Sequence, residues 1–145
     1  MQRILILGGG VGGTLTANLL ARKLRHRIDR GEVEVFVVDA TGNHVYQPGF
    51  MYIAMGGERA ANLQRPERSL LEERVILIVG EVAGIDEDGR IVTLTDGLPL
   101  GYDYLVLATG SRIVPETIAD FESEAHHFYS ASQAKRLRSA LDAFV

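Results

Sequence analysis

The chain begins with a short apolar run that is followed at once by glycines spaced as G-x-G-x-x-G. Residues 4–7 are apolar and lead directly into Gly8, Gly10 and Gly13. Between a buried strand and a helix, these glycines permit a tight turn, close approach of a ligand to the backbone, and close packing of the helix on the strand. The helix N-terminus adds amide donors and a positive dipole, which favour phosphate. The pattern predicts a dinucleotide-binding turn; a glycine-rich turn without a ligand is the alternative.

The residues after the glycines are expected to complete a β-strand, helix, β-strand unit. Largely apolar runs at Arg3–Leu7 and Val33–Val38 predict two parallel strands, the first of them buried on both faces and central. Between them, residues 14–28 predict an amphipathic helix that ends at Gly31. Its apolar face is expected to carry Leu15, Leu19, Leu20 and Leu24.

The middle of the chain predicts a crossover, a third buried strand and then a change of architecture. Pro66 suits the first turn of a short helix whose buried face would be Leu70 and Leu71. The third buried strand is expected at Val75–Val79. Short strands separated by "DEDG" and "TDG" turns then predict an antiparallel meander. Its strands would be Val82–Asp86, Ile91–Thr95 and Leu98–Tyr102.

The last part of the chain returns to the parallel sheet and ends in a helix. The segment "YLVLATG" predicts a further apolar strand that ends in glycine. A capping box from Ser130 to Gln133 then begins a helix. The apolar positions of this helix are Ala134, Leu137, Leu141 and Val145. The whole pattern predicts an α/β, Rossmann-like domain spanning residues 1–145, with a parallel sheet, crossover helices and a three-stranded antiparallel meander.

Composition and charge exclude several classes of function. The 145 residues are 46% hydrophobic with a net charge of −4, which suits one domain and gives no electrostatic reason to bind nucleic acid. There is no cysteine, so these residues provide neither disulfides nor thiolate chemistry. No signal peptide or membrane span is predicted, and the expected location is the cytoplasm or the periphery of a membrane.

Asp39 ends the second predicted strand, where an acidic residue is typical of dinucleotide sites. A carboxylate there can accept hydrogen bonds from the hydroxyls of an adenosine ribose, and it disfavours a 2′-phosphate and hence NADP. The alternative is that Asp39 only caps the turn that follows it.

Four segments, "GGGVGG", "VVDA", "EVAGID" and "YDYLVLATG", resemble the FAD-binding half of the pyridine nucleotide-disulfide oxidoreductase superfamily. The resemblance implies FAD as cofactor. It also implies that Ala108–Gly110 passes close to the flavin nucleotide and that the backbone of Val82 contacts adenine. A third strand that leads into a meander, rather than into further strand and helix units, favours FAD over NAD at this site.

Within the superfamily, the segment "TGNHVYQPGF" lacks the paired cysteines of the glutathione-reductase-like branch. It resembles sulfide:quinone oxidoreductases, flavocytochrome c sulfide dehydrogenases and type 2 NADH dehydrogenases, where the matching segment runs beneath the isoalloxazine ring with Pro48 at the flavin. Tyr46, Gly49 and Phe50 would complete an apolar wall. The next apolar residues are interpreted as core: Met51, Tyr52, Ile53 and Met55. Among the four histidines only His44, near the expected flavin, is a functional candidate, and a metal site is not expected.

Taken together, the motifs most closely resemble sulfide:quinone oxidoreductases, which implies sulfide and quinone as reaction partners. The alternatives are a type 2 NADH:quinone dehydrogenase and a nucleotide-binding domain that catalyses nothing by itself. Members of the family are longer, so the chain is expected to be an N-terminal part, inactive alone, that precedes the catalytic cysteines and membrane-binding helices. No catalytic residue is assigned. The expected cofactor contacts are Gly8, Gly10, Val11, Gly12, Gly13, Asp39, Ala40, Gln47, Pro48, Val82, Ala108, Thr109, Gly110 and Arg112.

Overall fold

The computed structural model describes residues 1–144, so the predicted apolar position Val145 lies outside the described residues. The chain forms two compact units, each with its own core. We call residues 1–44 and 65–110 the sheet unit, and residues 45–64 and 111–144 the helical unit.

The secondary structure alternates strands and helices in the first half of the chain and is dominated by short strands in the second. The strands are β1 (Gln2–Leu7), β2 (Val33–Asp39), β3 (Asn43–Val45), β4 (Gln64–Pro66), β5 (Val75–Val79), β6 (Val82–Asp86), β7 (Ile91–Leu94), β8 (Pro99–Gly101) and β9 (Tyr104–Leu107). The α-helices are α1 (Val11–Lys23), α2 (Arg25–Asp29), α3 (Phe50–Ala54), α4 (Phe121–Glu124) and α5 (Ala131–Phe144). Short 3-10 helices cover Gln47–Gly49, Ala60–Leu63, Glu67–Leu70 and Pro115–Thr117.

A four-stranded parallel sheet with the order β5-β2-β1-β9 organises the sheet unit. On one face, Ile6 packs with Val35 and Val37 against α1. On the other face, Leu5 and Leu7 pack against the meander. Both faces of β1 are therefore covered, which is why its sequence is apolar without alternation. The predicted central strand and the α/β fold class are confirmed.

The face of α1 that meets the sheet differs from the predicted one. Its buried residues are Gly13, Thr14, Ala17 and Ala21, whereas Leu15 and Leu19 are 56% and 55% exposed. Small side chains at this spacing bring the helix axis close to the strands. The prediction that Leu15 and Leu19 form the buried face was therefore wrong, because close approach selected the small residues rather than the large ones.

The crossover into β5 also differs from the expected short α-helix. Pro66 ends β4, and Glu67–Leu70 forms one turn of 3-10 helix. Leu71 is buried as predicted, but Leu70 is exposed. The fully buried side chain of this turn is that of Glu67, which has no solvent exposure. This carboxylate becomes important at the site described below.

The meander β6-β7-β8 is antiparallel and its strands lie within two residues of the predicted bounds.

The strands β5 and β9 form the edges of the parallel sheet. Ile76 and Val79 in β5 are exposed, so the expectation that this strand is buried was wrong, and Leu107 in β9 is exposed as well. An apolar run alone does not distinguish an edge strand from a central one.

The helical unit packs α3 against α5 through Phe50, Ile53, Ala54 and Ala134. One of the two hydrogen bonds of the predicted capping box of α5 is present: the amide of Gln133 donates to Ser130 Oγ at 3.3 Å. Ile53 is core as predicted. However, the core interpretation was wrong for the other apolar residues of this segment, because a helix of five residues has only one buried face. Those residues are Met51, Tyr52 and Met55, which are 43%, 54% and 59% exposed.

The helices within residues 1–144 are too short or too polar to cross a membrane.

Candidate dinucleotide-binding site

The glycine turn lies between β1 and α1 and leaves no space for side chains at two positions. Gly8 has φ +106°, a conformation that favours glycine, and a Cβ there would overlap the carbonyl oxygen of Ala108. A Cβ on Gly13 would overlap the carbonyl oxygen of Gly8 and lie 3.4 Å from Ile6 Cγ2. The start of the turn is held against β2, because the Gly8 amide donates to the Val38 carbonyl at 2.8 Å.

The opposite side of the same turn is open. A Cβ on Gly10 or on Gly12 would meet no protein atom within 4 Å. The first helical hydrogen bond runs from the Thr14 amide to the Gly10 carbonyl at 2.9 Å. The amides of residues 10–13 precede that bond, and within residues 1–144 none of them has a hydrogen-bond acceptor in the protein. Amides without an acceptor at the N-terminus of a helix are suited to an anionic group.

Asp39 lies at the carboxyl end of β2, next to this turn. Its Oδ2 accepts a hydrogen bond from the Gly9 amide at 2.9 Å. Its Oδ1 accepts from the amides of Thr41 and Gly42 at 2.9 and 2.7 Å and from the Thr41 hydroxyl at 3.0 Å. Asp39 therefore caps the following turn, which the alternative interpretation made its sole role. Since a carboxylate has about four acceptor positions, Oδ2 retains room for one further hydrogen bond.

These contacts set the acidity of Asp39. Burial is the largest single influence and opposes ionisation, but the hydrogen bonds from Gly9, Thr41 and Gly42 together outweigh it, so the pKa of Asp39 lies below its ordinary value of 3.8. A carboxyl group whose pKa falls on folding stabilises the folded state above the ordinary pKa, and this stabilisation is lost as the pH falls through the folded value.

We therefore expect the folded state to lose stability in acid partly through Asp39. At pH values well above 3.8, the free energy of unfolding of the parent should exceed that of Asp39→Asn by a constant amount. This difference should shrink as the pH is lowered below 3.8. Urea unfolding of both proteins across this range measures it. A difference that is independent of pH down to full protonation would contradict the assignment.

Beneath the turn lies a cluster of polar side chains, of which only His44 was expected from the sequence to be functional. The Thr14 hydroxyl lies 2.6 Å from Glu67 Oε1, and His44 Nδ1 lies 3.1 Å from Glu67 Oε2. His44 Nδ1 also lies 2.9 Å from the Gly9 carbonyl oxygen. The side chain of Glu67 is fully buried and that of His44 is 13% exposed. No sequence pattern marks Glu67, since a buried carboxylate depends on partners that are distant in the chain.

The other predicted contacts in the sheet unit lie close to the same edge of the sheet. Ala108 and Thr109 follow β9 and approach Gly8, with Thr109 Cα 3.1 Å from the position of a Gly8 Cβ. Val82 is the first residue of β6. Two residues before it, the Gly80 amide donates to the Asp39 carbonyl at 2.9 Å. Three more predicted residues are exposed: Val11, which begins α1, and Ala40 and Gly110, which follow β2 and β9.

Three predicted contacts belong to the helical unit. Gln47 and Pro48 line a cavity of about 270 Å³ together with Phe50, Phe128 and Tyr129. Arg112 is exposed and lies 3.7 Å from Glu116. Phe128 and Tyr129 were not among the predicted contacts.

Comparison with known proteins gives concordant results at the level of sequence and fold. The family described as pyridine nucleotide-disulphide oxidoreductase matches residues 2–143. A sulfide-quinone reductase of Aquifex aeolicus is 31% identical over 114 residues, which is 78% of this chain and 25% of the relative. A NADH dehydrogenase-like protein of Mycobacterium tuberculosis is 33% identical over 116 residues, which is 79% of this chain and 28% of the relative.

Among solved structures, the sulfide:quinone oxidoreductase of Aquifex aeolicus superposes with a TM-score of 0.84 at 24% identity. The superposition covers 99% of this chain and 32% of that one, and it establishes a shared fold. The chain spans about a quarter of the length of the curated relatives described above.

Proposed function

This chain belongs to the pyridine nucleotide-disulphide oxidoreductase family, and from that membership we propose that it forms the FAD-binding part of a sulfide:quinone oxidoreductase-like flavoprotein. The intact protein would take two electrons from sulfide and pass them through FAD to a quinone. The residues described here would hold the cofactor, and by themselves they would catalyse nothing.

One observation carries the cofactor part of the proposal: the glycine turn is closed on the protein side and open on the other. The lack of side chains at Gly8 and Gly13 lets the strand and the helix pack closely, while the amides of residues 10–13 have no acceptor within residues 1–144 and Gly10 and Gly12 are exposed. A diphosphate requires this combination of donors and room. Asp39, with one acceptor position left at Oδ2, lies beside the turn where the adenosine ribose would be held.

The role proposed for the helical unit is to contact the flavin ring. Gln47 and Pro48 lie in a cavity whose other lining residues are Phe50, Phe128 and Tyr129. Three aromatic side chains provide the flat, largely apolar surface that a flavin ring favours. The assignment of this surface to the ring comes from the resemblance of "HVYQPGF" to the family.

When bound, FAD would supply two-electron redox chemistry that no side chain of these 145 residues offers. The chain's own contribution would be to bind the diphosphate through backbone amides, orient the ribose through Asp39 and exclude water from one side of the ring. Because the sequence contains no cysteine, these residues contribute no thiolate to sulfur chemistry.

Replacing Asp39 tests the cofactor assignment. Asp39→Asn keeps the shape of the side chain but removes the charge, so we expect FAD binding to weaken by about 1–3 kcal/mol through loss of a charge-assisted hydrogen bond. Titration of flavin fluorescence with each protein measures the change.

Asp96→Asn is the matched control. Asp96 likewise caps a turn, since its Oδ1 accepts from the Leu98 amide at 2.9 Å, but it lies in the meander between β7 and β8. We expect its affinity for FAD to equal that of the parent. If Asp39→Asn binds FAD as tightly as Asp96→Asn does, Asp39 does not hold the cofactor.

A second candidate function, a type 2 NADH:quinone dehydrogenase, is favoured by the NADH dehydrogenase-like relative at 33% identity. Both candidates assign the same role to these residues and differ only in the electron donor. Anaerobic addition of sulfide or of NADH to the intact flavoprotein, with flavin bleaching as the readout, distinguishes the two.

A further inference from the structure

The carbonyl of Gly9 is held from the protein side by His44. The carbonyl oxygen carries no hydrogen, so the contact of 2.9 Å requires His44 Nδ1 to be the donor. The same Nδ1 lies 3.1 Å from Glu67 Oε2, which is also an acceptor. The ring is therefore present with a hydrogen on Nδ1, and its orientation is set by two oxygens at once.

Glu67 fixes this ring in place. Its carboxylate has no solvent exposure, and its other oxygen accepts from the Thr14 hydroxyl at 2.6 Å. Thr14 belongs to α1, so Glu67 ties the ring of His44 to the helix that follows the turn. A buried carboxylate that lost these donors would be costly, which keeps the arrangement in one geometry.

Holding the Gly9 carbonyl also determines where the next amide points. The peptide that joins Gly9 to Gly10 is planar and trans, so its C=O and its N–H point in opposite directions. The C=O points toward His44, and the N–H of Gly10 therefore points away from it. Gly10 is exposed, and a Cβ on it would meet no protein atom within 4 Å, so a ligand has room beside this residue.

From this geometry we infer that His44, held by Glu67, is a positioning residue for dinucleotide binding: it locks the Gly9–Gly10 peptide so that the Gly10 amide faces the diphosphate. The inference rests on the proposed nucleotide site. The Thr14 hydroxyl also lies 3.1 Å from the Gly9 carbonyl oxygen, but its single hydrogen is directed to Glu67 Oε1 at 2.6 Å. Without the donor at Nδ1 this peptide is therefore held less firmly, because both of its residues are glycine and accept most backbone conformations. A donor that must be oriented on binding contributes less affinity than one already oriented.

The test compares a ligand that has a diphosphate with one that lacks it. Isothermal titration calorimetry of the chain with ADP and with adenosine should show His44→Ala weakened for ADP by roughly tenfold, the effect of one hydrogen bond, and unchanged for adenosine. His44→Asn places an amide nitrogen near the position of Nδ1 and should bind ADP within about twofold of the parent. Because both ligands are measured on the same sample, their affinity ratio is independent of any unfolded fraction.

The outcomes separate this inference from the proposed function. If the parent binds neither ADP nor adenosine, the nucleotide site itself is wrong and the inference fails with it. If the parent binds both but His44→Ala keeps the parental ratio of affinities, the site stands and the positioning role is refuted. Equal losses of ADP and adenosine affinity would show that His44 only maintains the fold, and failure of His44→Asn to restore ADP binding would also refute the role of the donor.

Discussion

Gly13→Ala is expected to destabilise the sheet unit by roughly 3 kcal/mol or more, since the added methyl group has no space and no flexible neighbour to displace. It would overlap the carbonyl oxygen of Gly8 and lie 3.0 Å from the carbonyl carbon. Gly8 cannot retreat, because its amide is bonded to Val38 and its own Cβ position is occupied by Ala108. Helix α1 would have to move off β1, exposing the core beneath Ala17 and Ala21. Urea unfolding followed by circular dichroism measures the loss.

Gly12→Ala is the control for this change. It adds the same methyl group one residue earlier in α1, where no protein atom lies within 4 Å. Alanine has the higher helix propensity, so the free energy of unfolding should stay the same or rise by up to about 1 kcal/mol. Equal destabilisation by the two substitutions would mean that the packing of α1 on β1 is not what Gly13 provides.

Gly10→Val is expected to leave the fold intact and to reduce FAD affinity by at least about a hundredfold. The backbone of Gly10 has φ −75° and ψ −177°, which is extended and acceptable to valine. The side chain would enter the open space that the diphosphate is proposed to occupy. The physical effect is steric exclusion of the ligand, so it should appear in flavin fluorescence titrations but not in urea unfolding.

Gly101→Val provides the matched comparison for Gly10→Val. Gly101 ends β8, and a Cβ there also meets no protein atom within 4 Å. Valine suits a strand, so this variant should fold and bind FAD as the parent does. FAD affinity equal in the two valine variants would place the diphosphate elsewhere.

The elements that could be predicted from sequence are those fixed by local pattern. The apolar run of β1 and the glycines after it specify a strand, a tight turn and a helix over a short span, and the structure has all three. The meander could be predicted equally well, because its turns contain the typical turn residues "DEDG" and "TDG".

The features that were missed depend on partners remote in the chain. Leu15 satisfies a helical apolar period, yet the close approach of α1 to the sheet buries Ala17 and Ala21 instead. Glu67 has the composition of a surface residue and is buried because Thr14 and His44 lie opposite it in the fold. The period of apolar residues predicts which residues share a face of a helix or strand, but it does not predict which face packs against the rest of the protein.

The order of strands in the parallel sheet also has a consequence during synthesis on the ribosome. One side of β1 pairs with β2, so that residue 2 meets residue 33, but its other side pairs with β9, where residue 4 meets residue 104. At about 5 to 20 residues per second, the second partner emerges on the order of ten seconds after the first. Through that interval the central strand has one edge of unpaired amides and carbonyls, which is a template for pairing with the wrong chain. The nascent protein is therefore most exposed to misassembly at the strand that later carries the glycine turn.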